Sequence, residues 1–200
     1  MTPSDIGKAY DRIAEFWDGD RFNRENGIEA HRKAMRMAPV GGNALDIGCG
    51  CSGRFFDLLI KSGYEPEGVD VSQDMVRRAK LRHPDIEIAC ADFLDWESKN
   101  TYSLITAWDS IWHLNMEGQI RAIRKASGLL DFGGVIIFTA GGVEHPAEHV
   151  SPCMDQDLFY GALGEAKLLE LLSDCDLRLR HFELDQYPEK HLVLIAQKAG

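Results

Sequence analysis

One stretch constrains this chain more than any other: Asn43-Ala44-Leu45-Asp46-Ile47-Gly48-Cys49-Gly50-Cys51-Ser52-Gly53-Arg54-Phe55. Ala44, Leu45 and Ile47 make a short apolar run of strand type. Gly48, Gly50 and Gly53 follow, and glycines let a backbone turn sharply and come close to a ligand. Phe55, Phe56, Leu58, Leu59 and Ile60 then open an apolar helical face. A strand, a Gly-x-Gly-x-x-Gly turn and a helix are the layout of a nucleotide site in an open α/β sheet. A glycine turn that binds nothing is the plain alternative. Two acids weigh against it: Asp46, two residues before the first glycine, and Asp70, twenty-two residues beyond it.

Asp70 ends the next strand-like run, 66–70. A carboxylate at the end of a second strand can accept both hydroxyls of a ribose, which fits an adenosine-containing cofactor. Asp46 points away from a dinucleotide, because a carboxylate beside a pyrophosphate is repelled. A cofactor with an ammonium and a sulfonium is attracted instead. Leu45-Asp46-Ile47-Gly48-Cys49-Gly50 resembles the first motif of the class I S-adenosylmethionine (SAM)-dependent methyltransferases, and Gly68-Val69-Asp70-Val71-Ser72 resembles their second. The resemblance implies SAM as cofactor. It puts the backbone of Gly48, Cys49, Gly50 and Gly53 around the methionine part, Asp46 near its ammonium, and Asp70 on the ribose with Val71 beside it. It also implies Met75 against the adenine, and Asp92 and Phe93 on the adenine amino group and ring. Tyr10, in a helix ahead of the sheet, would help close the site, and Trp108 would wall it. For Tyr10 the alternative is packing, and for Asp92 a solvated carboxylate at a strand end.

Composition narrows the setting. The chain has 200 residues, enough for one domain with a formed core, and 44% are hydrophobic. The net charge is −10 and no basic cluster tracks a phosphate backbone, so nucleic acid is not an expected partner. No apolar run approaches the roughly 20 residues of a membrane span. Residues 1–5 lack the basic-then-apolar order of a signal peptide. Five scattered cysteines suit a reducing cytoplasm, and Cys49-x-Cys51 is too short a spacing for the usual zinc pair. The oligomeric state is open.

Taken in order, Ile6, Ala9, Tyr10, Ile13, Ala14 and Trp17 give residues 5–18 a helical stripe. A second helix is expected over 24–38. Both belong to a segment, 1–40, expected to cover the site. Helices over 54–62, 73–82, 117–129 and 165–175 alternate with strands ending at Asp70, at Cys90, at Trp108 and at Ala140. Ser72 is placed to cap the helix at 73. Two last strands, 177–184 and 191–197, read as an antiparallel hairpin. The expected fold is a Rossmann-like, seven-stranded, mostly parallel sheet with helices on both faces, in a single domain over 1–200. Residues 141–164 read as a long irregular segment and a candidate substrate lid.

Two features depart from the family pattern. The third glycine stands one position late, at Gly53 after Ser52, and no Asn/Asp-Pro-Pro-aromatic motif follows the fourth strand. The missing motif argues against adenine and glutamine as acceptors. A small-molecule acceptor is expected, facing Asp109 and His113 at the end of the fourth strand, with Trp112 and Tyr160 as apolar cover. Either residue is a candidate general base, needed only where the acceptor must lose a proton. The alternative for His113 is a hydrogen bond to a nearby loop. No metal is expected: His145 and His149 have the i, i+4 spacing of a helical pair, but Gly141, Gly142 and Pro146 oppose a helix there, so surface or substrate-loop histidines are the preferred reading. Two rival functions stay open, a SAM-binding protein without methyl transfer and a dinucleotide-dependent oxidoreductase.

Overall fold

The computed structural model describes residues 1–199. The glycine-bearing strand is β1 (Gly42–Ile47), followed by β2 (Tyr64–Asp70), β3 (Glu87–Cys90), β4 (Tyr102–Ala107) and β5 (Leu130–Gly141). Beyond them come β6 (Ala147–Cys153), β7 (Gln156–Ala162), β8 (Leu177–Leu184) and β9 (His191–Lys198). Seven strands form one sheet in the order β3-β2-β1-β4-β5-β9-β8, and β6 and β7 pair apart from it. β1 to β5 run parallel; β9 is antiparallel to both β5 and β8. This is the expected Rossmann-like sheet with its antiparallel end.

The helices are α1 (Pro3–Asp18), α2 (Ile28–Met35), α3 (Arg54–Lys61), α4 (Gln73–Arg82), α5 (Met116–Leu129) and α6 (Glu165–Asp174). They cover both sheet faces, and strand alternation decides which residue meets which helix. Leu45 and Ile47 of β1 join Ile123 and Ala126 of α5 and Leu168 and Leu172 of α6. Ala44 faces the other way, toward Ile28 and Ala34 of α2 and Phe55 and Leu59 of α3. β4 is buried along its whole length, as a parallel strand covered on both faces must be. Caps set the helix starts. Thr2 and Asp5 form a reciprocal capping box at α1, with Pro3 in its first turn. The Ser72 hydroxyl accepts from the Met75 amide at α4, as expected.

Two expectations change. The second helix is shorter than 24–38, because Gly27, with φ +82°, starts it and the residues before it turn. The segment 141–164 is not irregular: β6 and β7 make a hairpin whose two-residue turn, Met154 and Asp155, has φ +50° and +62°. Such primed turns match strand twist but usually carry glycine or asparagine, so Met-Asp hid this one. β6 is also largely exposed and lacks the alternation that marks a half-buried strand. His145 and His149 are exposed, whereas His31 and His191 are buried. Among the described residues no helix is long and apolar enough to cross a membrane.

Candidate functional site

The chain leaves β1 toward β2 on one side and β4 lies on the other, so a crevice opens at the carboxyl ends of these strands. It holds about 1090 Å³ of unfilled space, its open mouth included. The turn after β1 forms its floor. Gly48 has φ +72°, and a Cβ there would stand 2.3 Å from the Cβ of Ser110, so the position needs glycine for both backbone and space. Asp70 secures the turn from β2: its Oδ2 accepts the Gly50 amide at 2.8 Å and its Oδ1 the Ser72 amide at 2.8 Å. Burial raises the Asp70 pKa, against the lowering pull of those amides.

Helix α1 lies across the crevice. Gly7 passes so close to β2 that a Cβ would sit 2.7 Å from the Val71 carbonyl oxygen. Asp11 accepts from the Ser72 hydroxyl at 2.6 Å and the Asp74 amide at 2.9 Å. Asp18 pairs with Arg78 at 3.1 Å and with Arg82. Helix α1 also rests on β7, where Leu158 is fully buried against Ile6 and Ala9.

Of the cofactor residues read from the sequence, Tyr10, Gly48, Cys49, Gly50, Asp70 and Val71 line this crevice. So do Met75, Asp92, Phe93 and Trp108. Asp46 and Gly53 do not. Asp46 faces the α2 and α3 side of β1, behind the turn, where burial raises its pKa to about 7 in spite of the nearby Arg54 guanidinium. Gly53 starts α3 in a left-handed conformation, and a Cβ there would strike the His83 ring at 2.2 Å. Met75 packs with Ala14 and Cys51, on the α1 side of the crevice. Asp92 accepts the Leu94 amide at 2.9 Å and so shapes the turn that presents Phe93.

His113 is not placed as a base titrating near neutral pH. Its Nδ1–H donates to the Phe159 carbonyl at 2.7 Å. That leaves Nε2 as acceptor for the Tyr10 hydroxyl at 2.8 Å and the Trp112 indole at 3.2 Å. Burial lowers its pKa to about 4. Both nitrogens are engaged, which corresponds to the loop-bonding alternative: His113 ties α1 to β7.

Asp109 follows β4 with φ +52° and opens onto the crevice. Its amide donates to Thr139 Oγ1 at 2.8 Å, and that hydroxyl donates to Asp109 Oδ1 at 3.3 Å. His191 of β9 donates from Nε2 to the same Oδ1 at 2.8 Å and from Nδ1 to Asp185 at 2.5 Å. Burial opposes the charged imidazole, but the two carboxylates outweigh it and the His191 pKa is raised. His191 carried no signal in the sequence, because it stands 82 residues from Asp109 and meets it only through the order of strands.

Arg54 was also missed as a site residue. Its guanidinium lies 4.7 Å over the Phe22 ring and 4.3 Å over the Phe55 ring and lines the crevice. It donates to the Asn26 carbonyl and the Ser52 hydroxyl. The indole N–H groups of Trp17 and Trp108, both crevice residues, are buried without a hydrogen-bond partner among the described residues. A cation and two orphaned donors in one apolar crevice call for an anionic or strongly accepting group.

Comparison with known proteins agrees with this architecture. Residues 44–134 match the family described as methyltransferase domain. An uncharacterised methyltransferase of Bacillus cytotoxicus is 36% identical over 98 residues, 48% of this chain and 46% of that protein. The dTDP-3-amino-3,6-dideoxy-alpha-D-glucopyranose N,N-dimethyltransferase of Streptomyces fradiae is 30% identical over 135 residues, 62% of this chain and 52% of that protein. This chain thus spans about half the length of the curated relatives it matches. The magnesium protoporphyrin IX methyltransferase of Synechocystis PCC 6803, solved with bound SAM, superposes with a TM-score of 0.74 at 16% identity, over 100% of this chain and 98% of that one. The family match covers residues 44–134, and the strand order around it is that of the SAM-dependent methyltransferases this chain is similar to. The cofactor of that family is SAM.

Proposed function

We propose that this chain binds SAM in the crevice and transfers its methyl group to a small-molecule acceptor. The observation that carries the reading is the crevice itself: a glycine turn clamped by Asp70, with Arg54 and two unpartnered indole donors beside it. These residues fit the cofactor. Arg54 and the indoles suit its carboxylate, the free lone pairs of Asp70 its ribose hydroxyls, and Asp92 with Phe93 its adenine. When bound, SAM supplies a sulfonium-activated methyl group. The protein's part is to hold the acceptor in line with that group and to keep water out. Helix α1, latched through Tyr10 and His113 to β7, supplies the cover, and the β6–β7 hairpin is the substrate lid in this reading.

The crevice roofed by α1 and the amino-sugar methyltransferase among the relatives support a small acceptor. All five cysteines are free thiols, which supports a reducing, cytoplasmic setting. Calorimetry with SAM, S-adenosylhomocysteine and NAD tests the cofactor assignment. The two adenosyl ligands should bind and NAD should not. Asp70→Asn removes a charge-assisted contact and should weaken both by about 10- to 100-fold, corresponding to about 1.5–3 kcal/mol. A protein that binds NAD and ignores S-adenosylhomocysteine would sink the proposal.

A further inference from the structure

Asp185, His191 and Asp109 form a chain of groups that ends in the crevice. His191 donates from both ring nitrogens, one to each carboxylate, so this geometry describes an imidazolium. The rings of Trp108 and Trp112 flank it, each centroid 5.5 Å away, and hold the imidazole in place. Asp185 gives the imidazole a second acidic partner, so His191 is shared between two side chains and does not belong to Asp109 alone. On Asp109 itself, Oδ1 is taken by His191 and Thr139. Oδ2 has no partner among the described residues. The Asp109 side chain is 28% exposed, in a residue that lines the crevice. Its neighbour Ser110 is the residue that presses on Gly48, and Asp109 and the glycine turn line the same crevice.

We infer that Oδ2 of Asp109 receives an N–H of the methyl acceptor, that the acceptor is therefore an amine, and that His191 is the positioning residue that aims this carboxylate. The inference rests on the reading of the crevice as a SAM site. An amine attacks with its own lone pair. The N–C bond forms as the C–S bond breaks, and the bonding pair leaves with sulfur as the neutral thioether. Positive charge moves from sulfur to nitrogen, and a carboxylate fixed beside that nitrogen stabilises the charge as it develops. The extra proton on the methylated amine passes to water afterwards. A hydroxyl acceptor would instead need a group to take its proton before or during transfer. A carboxylate already bonded to an imidazolium is poorly suited to that, and His113 has no free nitrogen.

The test needs no acceptor. Sinefungin is a SAM analogue that carries an amine where SAM carries its methylsulfonium, so its nitrogen probes the transfer position; S-adenosylhomocysteine lacks that group. Calorimetry of the full chain should show sinefungin binding at least 10-fold tighter than S-adenosylhomocysteine. Asp109→Asn keeps the shape, suits the left-handed backbone at this position and removes the charge. It should erase that preference while leaving S-adenosylhomocysteine affinity within about twofold. His191→Ala should erase most of it and His191→Gln, which keeps one donor for Asp109, should restore part; a role confined to stability would weaken both ligands alike. Equal preference in wild type and Asp109→Asn would overturn the inference with the cofactor reading intact. Failure of S-adenosylhomocysteine to bind the wild type would overturn the cofactor reading instead.

Discussion

Asp46 makes the stability of the fold depend on pH. Its folded pKa of about 7 lies above the ordinary 3.8, so the fold prefers the protonated acid. The resulting penalty is fully present above pH 7 and is relieved as the pH falls from 7 toward 4. Asp46→Asn should therefore stabilise the ligand-free protein by about 4 kcal/mol at pH 8, and by only about 0.5 kcal/mol at pH 4. His31 acts in the other direction. It is fully buried, bonded to the Gly27 carbonyl at 2.7 Å and the Thr106 hydroxyl at 2.6 Å, and burial lowers its pKa to about 3. Its folded value lies below the unfolded 6.5, so its stability is whole above pH 6.5 and is lost as acid forces a proton onto the unfolded chain. His31→Gln should remove about 2 kcal/mol of the loss seen between pH 7 and pH 5. Urea unfolding at pH 4, 5, 7 and 8 reads both residues; a pH dependence unchanged in either variant would show that its side chain is not charged or neutral as described.

The β6–β7 hairpin and helix α1 depend on each other. A two-stranded ribbon is marginal alone, and this one is held by Leu158 under α1 and by the Phe159 carbonyl on His113. Removing the inner strand would loosen α1 as well as the hairpin. Leu158 is completely buried, so Leu158→Ala should cost about 2–5 kcal/mol of local stability. The loss should appear as faster amide exchange in α1 and β7, with β1, β4 and β5 unchanged. Uniform acceleration across the sheet would show that the hairpin is part of the global core and not a separable cover.

Across the whole molecule, the strand order makes the matched core dependent on the chain that follows it. β9 inserts between β5 and β8, and Leu192 to Ala196 are essentially without exposed surface. A fragment of residues 44–134 would lack β9, α1 and most of β5, leaving β4 and the apolar sides of α3 and α5 open. It should be unfolded or aggregated by circular dichroism and gel filtration, and a monomeric fragment with a cooperative melt would contradict this. The same insertion brings His191 to Asp109, so the edge of the sheet that completes the core also completes the site.

Local chemistry was enough for the order of strands and helices, the glycine turn and Asp70, because apolar periodicity, glycine spacing and capping act over a few residues. Asp46 and Gly53 show the limit of motif reading: both belong to the turn, but the strand pleat and the helix start face them away from the crevice. The hairpin at 147–162 was illegible because its turn lacks glycine and its outer strand lacks an apolar face. His113 became a buried post, and Arg54, His191 and the orphaned indoles became site features, only when distant segments met. Burial, pairing and charge at those positions are properties of the packed sheet, where the dielectric and the partners are set by residues up to 103 positions apart in the chain.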